Sequence, residues 1–158
     1  GRINLRAVKG RRCVLFFFNI GPCGGGTTSG FTEVEAGGLA CGAGQELEVN
    51  NVLLGFDFGG PANSVIIRYG EYGGEVDLGI NGDCEVVANF ADLHNMSLGG
   101  VLISVIDAGQ PGQGCGEITL TGVVMSLEIG GQELWLDNLF YCQGETPTEA
   151  ATWSQIKA

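Results

Sequence analysis

Apolar residues recur at every second position in short runs, and glycine or asparagine-glycine pairs separate the runs. This is the period of half-buried strands, not of helices. Ser64–Tyr69 shows it plainly, with Val65, Ile67 and Tyr69 on one face. The same reading predicts strands over 2–8, 13–19, Phe31–Glu35, Glu46–Asn50, Val52–Phe58, Glu75–Ile80, Asp83–Ala88, Val101–Ile106, Glu117–Thr121 and Val123–Ile129. Asn81-Gly82 is the strongest hairpin signal, because both residues tolerate the positive φ of a type I′ turn. One helical turn is expected within Phe90–Met96, ended by Gly99-Gly100.

The run GGQELWLDNLFYC, Gly130 to Cys142, reads as a long closing strand entered through a tight turn. Strict alternation puts Leu134, Leu136 and Asn138 on one face and Trp135, Asp137 and Leu139 on the other. Trp135 and Leu139 are expected to anchor the core, and Cys142 to staple its end. Ten to twelve strands at this spacing predict an all-β fold: a two-layer β-sandwich of jelly-roll type with glycine-rich turns. The expected divisions are a basic arm or strand over 1–12, the sandwich over 13–142 and a polar tail over 143–158.

Composition sharpens this. The 29 glycines follow no three-residue period, which excludes collagen, and 44% hydrophobic residues exclude a disordered chain. Cys13, Cys23, Cys41, Cys84, Cys115 and Cys142 form no C-x-x-C pair and stand with a single histidine. Three disulfides in an oxidising compartment are therefore expected over a zinc site, with the pairing open among 15 connectivities. No signal peptide and no run of about 20 apolar residues is visible, so membrane insertion is not expected and Gly1 reads as the start of a processed chain. The expected location is extracellular or at the cell surface.

Charge is divided unevenly. Residues 1–12 carry five basic groups and no acidic one; the remainder carries two basic against 18 acidic, so +5 opposes −16. An acidic body repels nucleic acid but attracts a basic arm of another copy. In that arm Ile3, Leu5 and Ala7 alternate with Arg2, Asn4 and Arg6, the pattern needed to add a strand to another sheet. In the tail, Trp153 and Ile156 are spaced to form one amphipathic turn.

Candidate chemistry is thin. Asp77, Asp83, Glu85, Glu117, Glu133 and Asp137 could supply a hydrolytic carboxylate pair, but acids alternating along strands ordinarily form a solvated face. His94 lies in a polar loop, with no G-x-S-x-G elsewhere to build a triad. No catalytic residue is assigned and no cofactor is required; the one ion considered is structural calcium at Asp57, Asp137 and Asn138. A polysaccharide would use an exposed aromatic with nearby acids, and Tyr72, Asp77 and Asp83 are the candidates. Asn95-Met96-Ser97 is an N-glycosylation sequon in a predicted loop.

The pieces RYGEYGGEVDLGINGDCEVVANFADL, LGGVLISV, GEITLTG and IGGQELWLDNLFYC, in this order between Phe56 and Cys142, resemble a poorly characterised module of secreted bacterial proteins. The tail TPTEAATWSQIKA resembles C-terminal ends of exported bacterial proteins. The resemblance implies an extracellular β-sandwich related in style to carbohydrate-binding jelly rolls, and carries over no activity. The expected function is a non-catalytic extracellular subunit of a surface filament, sheath or matrix. It would self-assemble head to tail, Ile3 and Leu5 filling pockets on a neighbour while Arg2 and Arg6 pair with its carboxylates, and Trp153 and Ile156 docking the tail. The alternative is a carbohydrate-binding or adhesion module of a secreted protein.

Overall fold

The computed structural model describes residues 14–18, 23, 29–109 and 114–143. Twelve strands account for most of them: β1 Val14–Phe18, β2 Phe31–Ala36, β3 Gln45–Asn50, β4 Val52–Asp57, β5 Ala62–Glu71, β6 Val76–Ile80, β7 Asp83–Val87, β8 Ser97–Leu98, β9 Val101–Asp107, β10 Gly114–Val124, β11 Leu127–Gly131 and β12 Leu134–Gln143. A 3-10 turn, Phe90–Leu93, lies between β7 and β8. The strands form a five-stranded sheet in the order β1-β4-β11-β6-β7 and a seven-stranded sheet in the order β2-β3-β12-β5-β10-β9-β8. Every pairing among the described residues is antiparallel. The all-β, two-layer sandwich is as the alternation predicted.

The core lies between the sheets, where one face of each strand is apolar. Val65, Ile67 and Tyr69 from β5 meet Leu47 and Val49, Ile103, Ile118 and Leu120 of their own sheet, and Leu54, Leu78, Ile80 and Ile129 of the other. All of these side chains are buried. The chain changes sheet at tight points. Asn51, at φ 52°, carries the chain from β3 of one sheet into β4 of the other, and its N–H donates to Gly131 O at 2.8 Å. The Asn81-Gly82 turn has φ 54° and 89°, the geometry expected of it.

Three local expectations are corrected. Trp135 does not anchor the core: it points away from it, on the outer face of the seven-stranded sheet, and is only partly buried. Leu139 does pack against the core. The pairing of β12 with β5 shifts register between Asp137 and Phe140, and Asn138 takes φ 45° there. This bulge inserts an extra residue and reverses the alternation after it, so Trp135 and Leu139 lie on opposite faces. β10 also runs through Val124 instead of breaking after Thr121, because a register shift near Gly122, at φ 137°, absorbs the irregularity within one strand.

Two disulfides form, Cys23–Cys84 and Cys41–Cys115, with Cα–Cα separations of 5.6 and 5.5 Å. Cys142 is exposed and unbridged among the described residues, so it does not staple the end of β12 there; Cys13 lies outside them. Cys84 faces outward from the five-stranded sheet, in register with Gly79. Cys115 faces outward from the seven-stranded sheet, in register with Gly70. Each bridge therefore ties a glycine-rich segment to one outer surface, as an oxidising compartment permits.

Candidate functional site

The most elaborated surface is the outer face of the seven-stranded sheet around Trp135. Register places Glu33, Glu48, Trp135, Gly70 and Cys115 in one row across β2, β3, β12, β5 and β10. The next row holds Asp137, Arg68 and Glu117. Directly opposed residues share a face, so this surface is set by register alone.

Residues 37–44 fold back over these rows. Gly37 N–H donates to Gly44 O at 2.6 Å and closes the loop. Inside it, the carboxylate of buried Glu46 accepts three backbone N–H groups, from Gly38 at 3.1 Å, Leu39 at 3.1 Å and Ala40 at 2.9 Å. Such charge-assisted bonds are the strong kind. The loop then sits flat on β5, where a Cβ on Gly70 would lie 2.2 Å from Leu39 O. Arg68 Nη1 reaches Cys41 O at 3.4 Å, and its Nε lies 3.8 Å from Glu117 Oε2. Cys41–Cys115 fastens the far side.

Tyr72 and Trp135 border this loop. Their rings meet edge to face, 5.3 Å apart at 79°. Tyr72 Oη donates to Leu39 O at 2.9 Å, and Trp135 Nε1 donates to Glu35. Burial, then the nearby Glu46 carboxylate, pushes the Tyr72 phenol above its ordinary value. Glu48 is also raised, chiefly by partial burial and then by Glu35, with Asn50 opposing through a hydrogen bond and Glu33 adding to the rise. Among the described residues Phe31 and Phe140, at 49% and 43%, are the exposed large aromatics; Tyr72 is half-buried.

The three candidate ligand residues stand apart. Tyr72 precedes β6 and Asp83 follows it, so about 17 Å of strand separates them. Asp77 lies on the outward side of β6 yet is buried, its Oδ2 accepting the N–H of Cys23 at 3.3 Å. Burial raises its pKa; the Cys23 bond works against this and Glu128 adds to it. Asp83 is exposed and accepts Gly99 N–H at 3.2 Å.

The calcium candidates are likewise engaged locally. Asp57 accepts the N–H of Gly59 at 2.8 Å, and Asp137 accepts both the N–H and the Nδ2 of Asn138, at 2.7 and 3.1 Å. Asp57 ends a strand of the five-stranded sheet and Asp137 lies in the other. Among the described residues, no three His, Cys, Asp or Glu side chains group as metal ligands. His94 Nδ1 accepts Val105 N–H at 3.0 Å, a loop-packing role. Asn95 is exposed at φ 66°, in a turn held by its N–H to Ile103 O, so the sequon is accessible.

Two polar features carried no sequence signal. Asn81 is a hub: its Nδ2 donates to Gly99 O and Val123 O, both at 2.8 Å, and its Oδ1 accepts from Met125 and Ser126 at 2.7 and 3.2 Å. At the other end of the sandwich, Glu71 is buried and accepts Phe90 N–H at 3.0 Å. The neighbouring Tyr69 phenol is pushed up by burial, then by Asp107 and Glu71. Asn81 joins segments 18 to 45 residues away, whereas Glu46 holds a loop six to eight residues before it.

Arg2, Ile3, Leu5, Arg6, Trp153 and Ile156 lie outside the described residues. No helix among the described residues is long and apolar enough to cross a membrane. No protein-family model matches the chain, nor does any curated protein or solved structure.

Proposed function

We propose that the chain is a non-catalytic, extracellular structural subunit that assembles with its own copies, its basic segment docking on the acidic sandwich of a neighbour. The observation that carries this reading is how the polar groups are spent. Glu46, Asp57, Asp77, Asp83 and Asp137 each bind backbone N–H groups that fix loops or turns. They serve as fasteners, as expected of a scaffold. Disulfides on both outer faces suit a part that stays folded outside the cell. The opposition of +5 over residues 1–12 to −16 over the rest supplies the attraction between copies. An unlike-patch contact of this kind leaves a free segment and a free acceptor on every pair, and it grows into filaments wherever its rotation does not close a ring.

A jelly-roll winding is favoured by the last two strands: β11 inserts between β4 and β6, and β12 between β3 and β5. This accords with kinship to the secreted bacterial module that the motifs resemble. The second reading, carbohydrate adhesion, draws on the Tyr72–Trp135 pair, a partly open aromatic surface bordered by Glu35.

Light scattering and electron microscopy of the intact chain and of a chain lacking residues 1–11 test the first reading. The intact chain is expected to form extended assemblies that disperse on deletion; assembly that survives deletion overturns it. Binding on a glycan array by non-assembling chains would favour the second.

A further inference from the structure

We infer that the open edge of β2, Phe31–Ala36, accepts the segment Arg2–Val8 of a second copy as an added strand. This rests on the assembly reading above and names its acceptor.

β2 ends the seven-stranded sheet, and among the described residues it pairs with β3 alone. An edge strand offers unpaired N–H and C=O groups to an incoming chain. Phe31 and Val34 on this edge are 49% and 41% exposed, a large share for apolar strand residues. β2 has six residues and the incoming segment seven, so their lengths match.

The side-chain pattern matches as well. Glu33 and Glu35 of β2 oppose Glu48 and Glu46 of β3, so they lie on the outer face, whereas Val34 opposes core residue Leu47 on the inner one. A strand has period two, and a slip of one residue exchanges its faces. One phase of Arg2–Val8 sets Arg2 and Arg6 on the face of Glu33 and Glu35, with one arginine directly opposite a glutamate, and Ile3 and Leu5 on the face of Val34. The other phase sets arginines against the apolar side. Glu48, in the same row as Glu33, is partly buried beside Glu33 and Glu35, so three carboxylates lie together on this outer face.

The other edges fit less well. β8 has two residues. β7 is tied through Cys84 to the Cys23 segment. β1, VLFFF, has no carboxylate of its own.

Charge selects the occupant: the +5 of residues 1–12 opposes the −16 of the rest, so the segment of one copy is drawn to the acidic sandwich of another, and association that rises with concentration distinguishes a second copy from the same chain.

The test compares three forms of the full chain by sedimentation velocity at low and moderate salt: the parent, R2E/R6E on the donor side and E33R on the acceptor side. Glu33 is exposed, so its replacement leaves the core untouched; the T32P chain, with a blocked edge amide, is a second acceptor variant. Each variant alone is expected to associate at least about tenfold more weakly than the parent. Mixed, R2E/R6E and E33R restore both contacts, because the arginines of one meet Glu33 of the other and the acidified segment meets the arginine that E33R introduces, so the mixture should assemble more strongly than either variant alone. If R2E/R6E disperses while E33R and T32P assemble like the parent, the segment docks elsewhere: the inference falls and the assembly function stands. If all forms assemble equally, or the parent stays monomeric at every concentration, both fall.

Discussion

Glu46 Oε2 and the N–H of Ala40 stand 2.9 Å apart, and both residues are buried, Ala40 inside a loop that has no regular structure of its own. The side chain of a strand residue thus substitutes for the hydrogen-bond ladder the loop lacks. Buried amides need partners, and here one carboxylate serves three. Replacing Glu46 with alanine removes all of them. The expected loss is roughly 2–4 kcal/mol in urea unfolding, with faster hydrogen exchange at Gly38, Leu39 and Ala40. Glu46→Gln, which keeps an acceptor but not the charge, should lose less. Unchanged exchange in the alanine variant would show that the disulfide holds the loop alone.

The Cys41–Cys115 bridge spans 74 residues, and Cys23–Cys84 spans 61. Loop-closure entropy gives each about 4 kcal/mol of stabilisation. The C41S/C115S chain is expected to lose roughly 2–4 kcal/mol, and to lose protection first over residues 37–44, where the bridge fastens the loop. Thermal unfolding with and without reductant measures this. A reductant-insensitive parent would contradict it.

Asn81 separates backbone strain from hydrogen bonding. Asn81→Gly keeps the positive φ and loses the four side-chain bonds; the expected cost is roughly 1–3 kcal/mol. Asn81→Ala loses the same bonds and adds left-handed strain of about 1–2 kcal/mol. Equal stability of the two variants in denaturant titration would refute the strain component.

Asp77 gives a signed pH dependence. Burial raises its folded pKa above the unfolded value of 3.8. Its protonated form is the one the fold favours, so its contribution is complete below 3.8 and is lost as pH rises through the raised pKa. Asp77→Asn keeps an acceptor for Cys23 N–H and removes the titration. The variant should match the parent near pH 3 and melt higher than it at pH 7. A variant that melts lower than the parent at pH 7 would show that the charge stabilises the fold.

Legibility in the sequence followed the range of the interactions. Val65, Ile67 and Tyr69 were readable as core because alternation is a local property of one strand. Asn81-Gly82 was readable because its φ angles are intrinsic to those residue types. Trp135 was misplaced because Trp and Leu satisfy an apolar pattern equally, and the bulge at Asn138 that separates them has no signature short of pairing with β5. Tyr72, Asp77 and Asp83 looked like one cluster because they are close in sequence; strand β6 holds them apart.

The sequence by itself determined the all-β class, most strand positions, the tight turns and the division of charge, since each depends on residues a few positions apart or on composition. Which cysteines meet, that Glu46 holds a loop, that Asp77 is buried and that β2 ends the seven-stranded sheet among the described residues emerge only once the two sheets pack. Those outcomes depend on register between strands up to 100 residues apart, as between Trp135 and Glu35. No local pattern encodes such distances; the packing of two apolar faces selects them.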